Sequence, residues 1–286
     1  METKPLSVKD SAYSYVSSFI LSQLTLVFYA LIGILICRFN GYDSNAFYNF
    51  TKQDFGYLLS VIVMNFVLLA VSLFFEHKKS DKLVGKVKFS KLMIYLTIAV
   101  ASYFVLYPVV VSFNQLFKVK STALELSTAG YIYSVFSRVL IPAICEEILF
   151  RGIIFKGIAN TNKTLAIFMS AIMFAIFHMS AEQFIYPLLM GLLFGVIMAY
   201  ENNIIYCIVV HIINNSLALC GLGYFFNHWT YYLLAAIMFL LFVGCVLFFA
   251  LRKIDKTKLT KQDSLAIIIS IAIMLVFWIL VMIVNK

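Results

Sequence analysis

Apolar residues dominate runs of fifteen to twenty-seven positions in this chain, and most charged residues gather in short clusters between the runs. Such runs occur from Tyr13 to Cys37, Gly56 to Phe75, Leu92 to Val111, Ala129 to Phe155, Thr164 to His178, Phe184 to Tyr200, Ile204 to Gly221, Trp229 to Leu251 and Ser264 to Val284. A bilayer needs about 20 residues of helix, so the pattern predicts nine spans, or eight if the short fifth run stays within one leaflet. The runs lack the period-two alternation of porin strands, which excludes a barrel. The expected architecture is an all-α polytopic membrane helical bundle forming one integral membrane domain over residues 1–286.

Composition agrees with a lipid solvent. The chain is 63% hydrophobic and 12% charged, with a mean hydropathy of +0.97, against about 25% charged residues in soluble domains. With the N-terminus inside, fifteen lysines and arginines fall on inner segments and five on outer ones; Arg138 and Arg151 lie within spans. That bias fits the positive-inside rule and places the N-terminus in the cytoplasm. It also accounts for the net charge of +9 by contact with anionic lipid, so no nucleic-acid partner is required. The first run is too long for a signal-peptide core and reads as a retained anchor. Five scattered cysteines, Cys37, Cys145, Cys207, Cys220 and Cys245, form no CxxC pair and read as reduced packing residues. Gly191 and Gly195 form a small-residue GxxxG, expected to be a close helix contact inside the fold.

Four charges interrupt the fourth run, Arg138 by itself and Glu146, Glu147 and Arg151 together within six residues. Each costs about 2.5–3.5 kcal/mol at the centre of a membrane helix, so the cluster marks a working site. Residues four apart share a helix face, which pairs Glu147 with Arg151 and turns Glu146 about 100 degrees away. Glu146 is thus free for general-base work. His178 closes Phe174-Ala-Ile-Phe-His178, and His211 begins His211-Ile-Ile-Asn-Asn215, placing His211 and Asn215 on one face. At about 1.5 Å per residue, Glu146, His178, His211 and Asn215 fall at similar depths on three helices. Polar groups at that depth require one another or a water-filled cavity.

The motifs Glu146-Glu147-x-x-x-Arg151, Phe174-x-x-x-His178 and His211-x-x-x-Asn215, in this order over residues 131–221, resemble those of the CAAX protease and bacteriocin-processing (Abi) family of intramembrane endopeptidases. The core would then be residues 129–221, with N-terminal helices in 1–128 and C-terminal helices in 222–286. The resemblance implies proteolysis of a membrane-associated peptide or protein in the plasma membrane of a bacterium. Glu146 with His178 would activate water, and His211 with Asn215 would stabilise the oxyanion. Glu147, Arg151 and Phe174 would support them, with no cofactor. Three alternatives use the same residues: zinc on Glu146, His178 and His211, with an open water position; a bacteriocin-immunity or adaptor protein that binds without cutting; and a transporter, which the absence of an inverted repeat disfavours. Arg138 is expected to snorkel or to pair with Glu125 or Glu182.

Overall fold

The computed structural model describes residues 5–43, 45–76, 83–116, 128–221, 240 and 260–284. All regular structure among them is helical: α1 (Val8–Phe39), α2 (Asn45–Lys52), α3 (Asp54–Glu76), α4 (Phe89–Leu116), a composite helix over 128–159, α8 (Lys163–Phe177), α9 (Ile185–Glu201), α10 (Ile204–Leu219) and α11 (Lys261–Val284). The composite helix consists of α5 (Thr128–Ser134), a first π segment (Val135–Leu140), α6 (Ile141–Glu147), a second π segment (Ile148–Phe155) and α7 (Lys156–Ala159).

By length and composition α1, α3 and α4 can each cross a membrane, while α8, α9 and α10 are shorter apolar helices. With the composite helix and α11 they make an integral membrane bundle. The expected run from Trp229 to Leu251 lies almost wholly outside the described residues, as do His77, His228, Glu125 and Cys245, and the described helices leave the total of eight or nine spans open. The described cysteines, Cys37, Cys145, Cys207 and Cys220, are all free.

Local chemistry explains the helix ends. α1 begins five residues before its apolar run because Ser7 and Asp10 form a capping box, each side chain bonding the other's backbone N–H. Asn162 caps α8 and Asn203 caps α10 through their side-chain oxygens. Asn202 takes the left-handed conformation that ends α9 (φ +48°), so Asn202 and Asn203 turn the chain within two residues.

Small residues bring the core helices together. A Cβ on Gly191 would stand 2.9 Å from Ala171 Cα, and one on Gly195 would stand 3.1 Å from Ile167 Cα. The GxxxG is therefore the seam between α9 and α8, the internal helix contact expected from the sequence. Around that seam lie fully buried Phe150, Ile154, Ala171, Phe194 and Cys207. α1 joins this core through a buried serine stripe, Ser11, Ser14, Ser18 and Ser22, and through Tyr15, whose hydroxyl donates to Met173 O at 2.9 Å.

Both π segments lend a backbone carbonyl to another helix. Ser11 Oγ donates to Ile154 O (2.9 Å), and Asn215 Nδ2 donates to Arg138 O (3.1 Å). Wide turns of this kind displace carbonyls from the regular ladder and are frequent at functional sites. Here they bracket the seven α-helical residues that carry Glu146 and Glu147.

Candidate active site

The adjacent acids occupy different surroundings, as the helical spacing predicts. Glu147 and Arg151 are completely buried, and Arg151 Nη1 donates to Glu147 Oε1 at 3.0 Å. Arg151 Nη2 donates to Gly191 O at 3.2 Å, a carbonyl made reachable by the close α8–α9 contact. The guanidinium lies 4.7 and 4.8 Å from the ring centres of Phe174 and Phe194, so two aromatic faces enclose the cation.

Glu147 also has a partner that sequence spacing does not reveal. His211 Nδ1 lies 3.0 Å from the same Oε1 that receives Arg151. An ionised carboxylate only accepts, which assigns the shared proton to Nδ1 and turns Nε2 toward Glu146 Oε2, 3.9 Å away. Phe194 stacks on the imidazole at 5.1 Å and Phe174 meets its edge at 6.0 Å, so the ring is held on both sides. Glu147 Oε2 and Arg151 Nε have no hydrogen-bond partner among the described residues.

His178 is fixed differently. It is the C-cap of α8, and its Nδ1 lies 2.8 Å from Phe174 O, one turn back. A carbonyl cannot donate, so a proton sits on Nδ1, and in the neutral ring Nε2 carries the lone pair. Met179 follows in the left-handed conformation (φ +49°), which takes the chain sharply off the helix axis. The Phe174 ring lies 4.8 Å from the His178 ring, nearly perpendicular to it. One phenylalanine thus touches His178, His211 and Arg151.

Glu146, His178, His211 and Asn215 all line one cavity of about 990 Å³. Its wall also includes Ser22, Asn65, Tyr57, Asn114, Arg138 and Glu182. Glu147, Arg151 and Phe174 form the packed floor beneath it. Arg138 makes no ion pair with Glu182; its guanidinium lies 4.5 Å from the Tyr57 ring centre. Among the described residues, no group of three or more His, Cys, Asp and Glu side chains is gathered to hold a metal ion.

Asn214 is the polar residue that motif reading passed over. It is fully buried and accepts from Tyr186 Oη at 2.8 Å, while its Nδ2 lies within bonding distance of Ala99 O, Ser102 Oγ and Val210 O. These bonds tie α10 to α4 and fix the depth of His211 and Asn215. The available signal was a second asparagine in a helix interior, where an amide needs a partner.

Residues 128–217 match the family model described as Rce1-like, type II CAAX prenyl endopeptidase Rce1-like. The chain is also 29% identical over 251 residues to an uncharacterized protein of Mycoplasma capricolum subsp. capricolum, an alignment covering 75% of this chain and 68% of that one. No solved structure matches. The family match spans the residues that build the cavity floor, including all three polar motifs, and over this segment the chain is similar to the type II CAAX prenyl endopeptidases.

Proposed function

We propose that this protein is an intramembrane endopeptidase that hydrolyses a peptide bond of a membrane-associated peptide or protein. The observation carrying this reading is the cavity itself: Glu146, His178, His211 and Asn215 line it together, above a buried ion pair that orients one of them. Glu146 takes a proton from water while His178 Nε2, with its lone pair free, accepts a hydrogen bond from the same water and aims it. The water oxygen bonds to the carbonyl carbon, and the carbonyl oxygen becomes the oxyanion. His211 Nε2–H and the second Nδ2 hydrogen of Asn215 donate to that oxygen in a low-dielectric site. The intermediate then breaks its C–N bond, and the proton held by Glu146 goes to the leaving amine.

Donation from both Nδ1 and Nε2 is a property of the imidazolium form of His211. The flanking carboxylates, Glu147 at 3.0 Å and Glu146 at 3.9 Å, supply the balancing charge. Zinc on Glu146, His178 and His211 would require donors converging at about 2.0–2.2 Å on one point. As placed among the described residues, the three do not gather as a metal-binding group.

The helices run so that the cavity lies away from the lysine-rich ends. It is lined by the start of α3, the end of α4 and the residues just past α8, whereas Lys9, Lys91, Lys156 and Lys163 lie at the opposite ends of their helices. With the N-terminus in the cytoplasm of a bacterium, the substrate enters from the outer half of the plasma membrane.

Cleavage of a fluorogenic lipidated peptide by purified protein in lipid nanodiscs tests the reading. Wild type is expected to cleave and Glu146→Gln to be inactive, with unchanged expression. A biological effect that survives intact in Glu146→Gln would overturn hydrolysis in favour of a binding or immunity role. Activity lost to a membrane-permeant chelator and restored by zinc would replace water activation by Glu146 with metal chemistry.

A further inference from the structure

The lysine-rich end of the bundle, opposite the cavity, is fastened to the helix that carries His211. Leu83, in the connection between α3 and α4, is buried over Gly152, where a Cβ would stand 3.3 Å from Leu83 Cδ1. Ile204 N, at the start of α10, donates to Leu83 O at 3.2 Å. Lys88 N donates to Tyr206 Oη at 2.9 Å, and the Tyr206 ring centre lies 4.9 Å from that of Tyr95. At the end of α9, Glu201 accepts from Lys91 Nζ at 2.5 Å and from Tyr95 Oη at 3.0 Å. Residues 83–95 are therefore bonded along their length to the turn that leads from α9 into α10. Beyond these bonds the connection turns cations and apolar groups outward together: Val84, Lys86, Val87, Lys88 and Phe89 are all exposed. The sequence from Lys78 to Lys91 holds six lysines and one acid, Asp81. Ammonium groups interleaved with apolar side chains, at the ends of membrane helices, match the boundary between lipid phosphates and acyl chains.

We infer that Val84–Phe89 is a docking surface for anionic lipid headgroups, with Lys86 and Lys88 on the phosphates and Val84, Val87 and Phe89 against the first carbons of the acyl chains. Charge selects the lipid, since a zwitterionic headgroup sets its own cation against the lysines. The backbone on either side of this surface is bonded to α10. A seated lipid thus holds the connection against the turn from which α10 carries His211 and Asn215 to the cavity. The surface is independent of the chemistry in the cavity and stands whether or not the protein cuts peptides.

The test titrates the full-length protein in neutral detergent with phosphatidylglycerol, phosphatidylcholine or inorganic phosphate and follows its thermal midpoint. A ligand of the folded state raises that midpoint. Phosphatidylglycerol is expected to raise it saturably, and phosphatidylcholine and inorganic phosphate to leave it in place. Lys86→Gln and Lys88→Gln, each referred to its own lipid-free midpoint, should weaken the apparent affinity about fivefold apiece, the usual worth of one lysine near an anionic surface. Lys163→Gln, at the same end of the bundle on α8, should leave it within twofold. Hydrogen exchange over residues 201–210 should slow at saturating phosphatidylglycerol. No shift with phosphatidylglycerol, an equal shift with phosphatidylcholine, or a shift with inorganic phosphate alone would each overturn the docking surface. So would an affinity that survives the double substitution of Lys86 and Lys88, or one that Lys163→Gln weakens as much. Unchanged exchange over residues 201–210 would overturn its link to α10.

Discussion

Glu146 and Glu147 are neighbours in sequence, yet one faces a cavity of about 990 Å³ and the other is sealed among Arg151, His211, Phe174 and Phe194. The difference follows from a rotation of about 100 degrees per residue. It divides the site into a roomy chamber, where groups keep unsatisfied valences, and a closed floor, where charge is neutralised and rings are clamped. A carboxylate in the chamber can exchange protons with water. One in the floor holds other residues in place.

Chamber and floor substitutions should therefore fail in different ways. His178→Ala and His211→Ala should each lower the rate of peptide cleavage about 10²–10⁴-fold, the usual range for a lost acid or base. His178→Ala should do so at normal abundance. His211→Ala should also lose some abundance, because its ring covers Glu147. Equal loss of abundance in the two variants would erase the boundary between the regions.

Arg151→Ala attacks the floor alone. It leaves Glu147 buried beside an imidazole without its main counter-charge, a change that costs about 3–5 kcal/mol. Protein recovered from membranes should fall severalfold, and Glu147→Gln combined with Arg151→Gln should recover part of it. Quantitative immunoblotting of the single and double variants checks this, and additive losses would mean that the two side chains are not coupled.

The glycine seam offers a finer comparison. Gly191→Ala drives a methyl group onto Ala171 and displaces the carbonyl that receives Arg151, so it should cost about 1–3 kcal/mol and lower the thermal midpoint. Gly195→Ala meets its neighbours at longer range and touches no ion pair, so its shift should be smaller. The reverse order would detach the floor from the seam. Phe174→Leu should have the smallest effect on folding, but it removes the ring between His178 and His211, and its loss should appear in cleavage rate at unchanged abundance.

Much of this was legible because the constraints were local. Four-residue spacing paired Glu147 with Arg151 and separated Glu146, and two small residues marked the α8–α9 seam. The bond from His211 to Glu147 was not legible, since it joins residues 64 positions apart and no periodicity encodes it. The π segments were also hidden: their residues are ordinary apolar ones, and the wide turn follows from tertiary packing. The serine stripe on α1 did carry a signal, because Ser11, Ser14, Ser18 and Ser22 recur at helical spacing at and just before the start of an apolar run. The contact of Arg138 with the Tyr57 ring was not legible either, since it joins residues far apart in the chain.

The two wide turns make the aim of Glu146 a matter of counting. An α-helix that loses one residue turns everything beyond the gap by about 100 degrees, so a deletion within Val135–Leu140 or Ile148–Phe155 would rotate one half of the composite helix against the other. Either the acids would leave the chamber or Asn215 and Ser11 would lose their carbonyls. A change in length along this helix thus does what no single substitution can, and the spacing from Arg138 to Ile154 acts as a molecular ruler.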